Sequence, residues 1–466
     1  MNKIKIFCSL LFLITAWPCD VSGQLKSPEI EAYSGGNTAT GENAPFWFIS
    51  GNHGIFSLQP HGAFAGISLL TTDSVKQFLD YNFGMEIRNR YDKNGYDLRF
   101  QQAYIEGRIW EVKIRAGRME EFIGNQDSLF SMGGTVWSSN APPMPKIAIS
   151  SNGYVDVPLT RGWLQINAYL AHGWFENSRF VENLYMHHKY LHGKIGGDLM
   201  VNISYGLQHF GQWGGVSPVE RFGKLPSDWD AFKRVFMAKS GESGTVDTNE
   251  IINRLGNHLG SRNYGIDVKL ENATTGLYYQ TIFEDNSGKN DKISRDGLWG
   301  LWLTFNNKNK IVNHLLYEYL NTTYQSGPVH KIGETVLGGN DNYFNNYLYP
   351  DGWTYHDYTL GTPMITSPIM KQGNRTIINN RVTAHHLGIS GIIAGKISYK
   401  TFFTYSCNKG TYSLPFPNDK HQFSWYGETQ IPLNKYKLFL DIALAADYGE
   451  LHGENVGMML QIRKIL

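Results

Sequence analysis

The 466-residue chain predicts an all-β fold, a transmembrane antiparallel β-barrel of about 16 to 18 strands with a small helical element at one mouth. Three observations predict it. Segments of about ten residues alternate apolar and polar side chains, as tilted membrane strands do. Aromatic residues make up 14% of the chain, although its mean hydropathy is −0.34. That combination suits a wall with an apolar, aromatic-rich outside and a polar inside. Finally, no segment beyond the N-terminus approaches the roughly 18 consecutive apolar residues of a helical span.

Residues 1–23 read as a secretory signal. Lys3 and Lys5 begin it, Ile6 to Trp17 is its apolar run, and Val21-Ser22-Gly23 offers small residues for cleavage before Gln24. A lipoprotein signal at Cys19 is disfavoured, because Trp17 and Pro18 stand where small residues belong. Cleavage removes Cys8 and Cys19 and leaves Cys407 alone, so no internal disulfide can form. It also removes Lys3 and Lys5 from 42 basic residues and Asp20 from 41 acidic ones, which balances the mature chain. No like-charge block remains, and this argues against a nucleic-acid partner.

The strands are read from the alternation. Leu79, Tyr81, Phe83, Met85 and Ile87 interleave with Asp80, Asn82, Gly84, Glu86 and Arg88. Leu199, Val201, Ile203, Tyr205 and Leu207 form a second apolar set, and Tyr264, Ile266, Val268 and Leu270 a third. Leu438, Leu440, Ile442 and Leu444 follow, and Val456, Met458, Leu460 and Ile462 repeat the pattern in the last residues. A soluble sandwich also alternates. Its strands are usually shorter, however, and it does not place charges such as Glu86 with Arg88, or Asp267 with Lys269, two apart on one face.

Asn94-Gly95 and Asn152-Gly153 are tight-turn dipeptides, and Trp110-Glu111-Val112 is a short reversal. Longer connections are expected at about 119–144, 171–197, 211–262, 285–296 and 324–380. Within the third, a helix beginning at Ser227 would carry Trp229, Phe232, Val235 and Phe236 on one face. Asp247 with Glu250 resembles a capping box opening another. No repeat or linker divides the chain, so residues 24–466 are expected to form one barrel domain with a partly helical insertion at about 211–262.

Several stretches together carry a resemblance. They are Met132-Gly133-Gly134-Thr135-Val136-Trp137, the run from Ala168 to Glu176, Ser204-Tyr205-Gly206-Leu207 and the run from Asn253 to Ser261. Asp296-Gly297-Leu298-Trp299-Gly300, the run from Gly339 to Asn346 and Trp353-Thr354-Tyr355-His356 complete the set. As an ordered set this resembles the Wzi capsule-assembly family over nearly the whole mature chain. The resemblance implies an outer-membrane barrel of about 18 strands with a small periplasmic helical element. It also implies a lectin-like, non-enzymatic, monomeric protein that holds capsular or exopolysaccharide at the cell surface and assists capsule assembly. The alternative is a diffusion pore or export channel, for which the polar set Asn82, Glu86, Arg88, Asp267 and Lys269 would line the lumen.

A sugar-binding surface needs aromatic faces for sugar C–H groups and planar amides or carboxylates for paired hydroxyls. Gly339 to His356 supplies both: Asn340, Asp341, Asn342 and Asn345 interleave with Tyr343, and Trp353, Tyr355 and His356 follow. Trp137 with Asn140, and Gln212 with Trp213, are further candidates. The competing account is that Asn, Asp and Gly favour turns while aromatics anchor loops.

Other chemistries fit less well, and no cofactor is expected. His187, His188 and His192 would place 188 and 192 on one helix face, but no acidic residue lies between Met186 and Gly197 to serve as a base. Ser151-Asn152-Gly153 resembles the serine element of outer-membrane phospholipases, yet Ile149 stands where those enzymes keep a histidine. Glu120-Glu121 and Glu284-Asp285 are adjacent pairs, which on a strand point to opposite faces.

Overall fold

A computed structural model describes residues 28–71, 79–241, 254–284, 295–327, 330–332, 335–338, 340–370, 375–433 and 437–466. The proposed signal and the Asp247–Glu250 capping box lie outside them. Eighteen strands form one closed antiparallel barrel. They are β1 Glu29–Ala39, β2 Gly62–Leu70, β3 Leu79–Asp92, β4 Gly95–Ile109, β5 Val112–Arg118 and β6 Lys146–Ser151. Next come β7 Leu164–Trp174, β8 Tyr185–Ile195, β9 Val201–Trp213, β10 Asn257–Lys269, β11 Ala273–Thr281 and β12 Gly297–Phe305. The last six are β13 His314–Asn321, β14 Val382–Ile393, β15 Ile397–Gly410, β16 Pro415–Leu433, β17 Leu438–Gly449 and β18 Asn455–Ile465. Each strand pairs with its sequence neighbours. β18 returns to β1 in a register that runs from Ala39↔Gly457 to Glu31↔Ile465, which leaves no open edge.

Alternation is realised as wall geometry. Leu79, Tyr81 and Met85 are exposed on the outside, while Asp80, Asn82, Glu86 and Arg88 are buried inside. Inward charges are paired: Arg88 with Glu86 at 2.8 Å, Arg108 with Asp80 at 3.3 Å, and Arg463 with Asp441 at 2.6 Å. Pairing offsets the cost of taking these groups out of bulk water.

Two side-chain patterns explain why the chain holds both many glycines and many aromatics. On the inner face, rings lie over glycines directly across the ladder: Tyr33 over Gly66, Tyr104 over Gly84, His192 over Gly206, Trp302 over Gly276 and Tyr278 over Gly300. A Cβ at Gly300 would sit 2.0 Å from the Tyr278 ring, so only glycine leaves the space. On the outer face a row of mutually paired positions holds one ring per strand from β9 to β17. It runs Tyr205, Tyr264, Tyr279, Trp299, Tyr319, His385, Tyr405, Phe423 and Tyr448. Tyr279 and Trp299 stack at 4.3 Å and Tyr205 lies 5.1 Å from Tyr264. Such cross-strand ring pairs stabilise by roughly 0.5–1.5 kcal/mol each beyond burial.

The two ends of the barrel differ. The start of β1, the end of β18 and the short connections, such as 110–111, 270–272 and 394–396, lie at one end, here the turn end. The long connections 40–61, 119–145, 214–256 and 322–381 emerge at the other, the loop end. Three of them fold into the lumen. The first carries α1, Phe46–Ile49, whose four side chains are all buried. With residues 119–145 and 322–381 it forms a core including Met132, Val136, Phe344, Trp353 and Ile365, packed against the inner wall.

One expectation is corrected. Residues 171–197 are not a loop: β7 runs to Trp174 and β8 occupies Tyr185–Ile195, so the connection is only 175–184. The polar histidines hid the strand's alternation. The helix beginning near Ser227 exists as α2, Trp229–Met237, with Asp228 accepting the Ala231 N–H as its N-cap. It sits at the loop end, because its chain leaves from the loop ends of β9 and β10. It lies against the outside of the wall, where Phe232 and Phe236 cover outward-facing His187 and Trp213.

Candidate functional site

Most of the proposed sugar-contact residues are placed inside the plug. Trp353 is fully buried and its Nε1 donates to the Val136 carbonyl at 2.8 Å. Asn140 donates to the Thr359 carbonyl at 3.1 Å and to Ser367 Oγ, and accepts from the Gly51 N–H. Gln212 reaches from the wall to the Gly352 carbonyl at 2.9 Å and accepts from Asn257. Tyr343 donates its hydroxyl to Asp296 at 3.1 Å. Trp137 stacks on Phe210 at 5.5 Å, and Tyr355 is buried beside Phe175. Trp213 faces outward beneath α2. These residues tie three loop segments to one another and to the wall. Asn340, Asn342 and His356 are exposed, and Asp341 and Asn345 partly so. Asn342 and Asn345 are linked at 3.0 Å.

His356 is the exposed candidate held by the most defined geometry. Residues 354–359 read Thr-Tyr-His-Asp-Tyr-Thr, a mirrored sequence about a two-residue turn. Thr354 pairs with Thr359 and Tyr355 with Tyr358, leaving His356 and Asp357 at the tip with φ of +49° and +64°. A type I′ two-residue hairpin turn requires positive φ at both central positions, where Asn-Gly is the favoured pair. A histidine and an aspartate there are strained, and both are exposed.

The tip rests on an electrostatic base. The His356 N–H donates to Glu176 at 2.9 Å, and Glu176 pairs with Arg179, which also donates to the Gly352 and Thr354 carbonyls. Burial raises the Glu176 carboxyl, with Arg179 offsetting part of the rise. Although solvent reaches the His356 ring, partial burial and then the charges of Arg118, Arg99 and Arg179 lower its pKa to about 4. At neutral pH the ring is therefore uncharged and can both donate and accept a hydrogen bond. The sequence reading reached His356 but missed Asp357, Arg99 and Arg118. The mirrored Tyr-His-Asp-Tyr was a readable signal for the first, whereas the arginines lie on other strands.

Among the described residues, the histidines, Ser151 and the carboxylates weighed above lie apart in other roles. Alternation turns His187 outward and His188 inward, where it stacks on Phe210 at 4.0 Å. Ser151 bonds Asn167 and the Gly153 carbonyl, with no histidine among its partners. Glu121 is buried in ion pairs with Lys146 and Arg115, and Glu284 accepts the Phe344 N–H.

Below the plug, toward the turn end, the lumen stays open. One chamber of about 380 Å³ lies between Phe122, Tyr190, Trp302 and the Lys194–Asp267 pair. A second of about 350 Å³ adjoins it across Phe122 and Tyr190. A third chamber, of about 300 Å³, lies between Trp47 and Phe48 of the plug and Tyr426, Asp441 and Arg463 of the wall.

The family model described as capsule assembly protein Wzi matches residues 63–367. No curated protein matches the chain significantly. Among solved structures, it resembles Wzi of Escherichia coli, described as a carbohydrate-binding β-barrel involved in group 1 capsule assembly. The TM-score is 0.61 at 12% identity, covering 94% of this chain and 85% of that one. It also resembles Pseudomonas aeruginosa OccK5 (OpdH), with a TM-score of 0.50 at 8% identity over 94% and 97% of the two chains. The family match over residues 63–367, with which the closed 18-stranded wall agrees, places this chain in the Wzi capsule-assembly family, as a barrel of the outer membrane.

Proposed function

We propose that this protein binds capsular or exopolysaccharide at its loop end, without turning it over, and so retains the polymer at the cell surface. The observation that carries the reading is the plug: three loops pack into an apolar core inside the lumen and bond to the wall. A barrel occluded in this way suits holding a polymer better than conducting one. Outer-membrane barrels keep short turns in the periplasm and long loops outside, so the plugged end and its His356–Asp357 tip face the medium. There a neutral imidazole and a carboxylate, ringed by Arg99 and Arg118, can bond vicinal hydroxyls and acidic substituents of a sugar chain.

The test is binding of the cell's own surface polysaccharide to detergent-purified protein. Replacing His356 and Asp357 together by Ala should weaken binding at least tenfold while leaving the resistance of the folded barrel to heat and detergent unchanged. Undiminished binding would remove the tip from the site, and no binding by the native protein would refute the reading.

A further inference from the structure

We propose a second carbohydrate site, at the opposite end of the barrel: the paired chambers beneath the plug bind a short oligosaccharide that enters from the turn end. This proposal rests on the polysaccharide reading above and assigns a further site for the same class of ligand.

The first observation is Phe122. It projects from the underside of the plug with 41% of its surface exposed, and it lines both chambers. The exposed part of the ring offers an apolar face to the C–H side of a pyranose. Tyr190 lines both chambers as well, held rigid by stacking on Tyr169 at 5.1 Å with the rings 6° apart.

The second is His192. It is only 5% exposed, lines the larger chamber, and its Nε2 has no partner among the described residues. The carbon face of this ring, not its shielded nitrogen, is what the chamber wall presents. Gly206 supplies the space for this ring, since a Cβ there would sit 2.0 Å from it.

The remaining lining suits hydroxyls. Asn125 and Asn167 carry planar amides, Ser204 a hydroxyl, and Lys194 faces Asp267 at 3.6 Å. Each chamber falls in the size range of small-molecule sites, roughly 300–1,000 Å³. Both open on the side of the short turns, away from the tip at His356. A chain segment could therefore be held from the periplasmic side without passing the plug.

The experiment titrates purified full-length protein with short oligosaccharides, prepared by partial acid hydrolysis of the cell's own surface polysaccharide, and follows binding by calorimetry. Ser204→Trp fills the larger chamber and Phe122→Ala removes the shared platform. Both are made in the His356→Ala, Asp357→Ala background, which silences the loop-end site, and there each should weaken the remaining oligosaccharide binding at least tenfold, with Phe122→Tyr restoring it. Because Phe122 is exposed, its substitution tests the site even if Ser204→Trp fails to fold. Native-like binding by Phe122→Ala would overturn the chamber while leaving the loop-end reading intact. A native protein that binds neither oligosaccharide nor intact polysaccharide would overturn both.

Discussion

At the residue scale, two positions show how function and stability separate. Asp357 holds a φ of +64° at the hairpin tip, a conformation that glycine adopts without strain. Asp357→Gly should therefore stabilise the hairpin by about 1 kcal/mol while weakening polysaccharide binding. Urea denaturation and a binding titration on one preparation would show the two effects moving in opposite directions. Glu121 behaves differently. Burial pushes its carboxyl up, but Lys146 and Arg115 outweigh this and hold it below the ordinary value of 4.5. Its contribution to stability is complete above about that pH and is lost as pH falls through the lower folded value. Glu121→Gln would strand Lys146, which is 5% exposed, and should cost about 3–5 kcal/mol at pH 7. The variant should also lose the native protein's decline between pH 4.5 and more acidic conditions. Unheated gel mobility across a urea series at two pH values measures both.

At the element scale, the strands were legible and the loops were not. Leu79 to Arg88 alternate plainly because one face meets lipid and the other meets Asp80, Glu86 and Arg88 in a polar interior. In Tyr185–Ile195 the signal fails, because outward His187 is covered by α2 and inward His188 is stacked in the plug, so neither face looks apolar or wet. The aromatic row from Tyr205 to Tyr448 depends on strand register, which spans hundreds of residues of chain and is absent from any local window. The same holds for the plug. Gly339 to His356 looks like a sugar-contact loop because its Asn, Tyr and Trp content is right, but Trp353 and Tyr343 spend that chemistry on Val136 and Asp296. Two substitutions test these elements. Trp353→Ala should cost about 3–5 kcal/mol through the cavity it leaves in the plug. Gly300→Val should force the Tyr278 ring out of place and lower stability by about 1–3 kcal/mol, read as a lower temperature for the shift in gel mobility.

At the scale of the whole molecule, closure and occlusion divide the labour. The wall from β1 to β18 satisfies every strand edge and lets the chain live in the outer membrane, while the plug fills much of the lumen with a packed apolar core. Sequence pattern alone supported a porin as readily as a binding protein, since Asn82, Glu86 and Arg88 would line either lumen. The difference lies in how residues 40–61, 119–145 and 322–381 meet, which only the folded arrangement shows. Reconstituted in a planar bilayer, the native protein should give no sustained current, and removing residues 340–370 should open one.

The most direct test of the account is retention of polysaccharide by living cells. A strain lacking this gene should synthesise its polymer normally but release most of it into the medium. Native protein should restore retention, and the His356→Ala, Asp357→Ala variant should not, despite equal amounts in the outer membrane. Full retention by the deletion strain, or a fall in synthesis rather than in attachment, would contradict it.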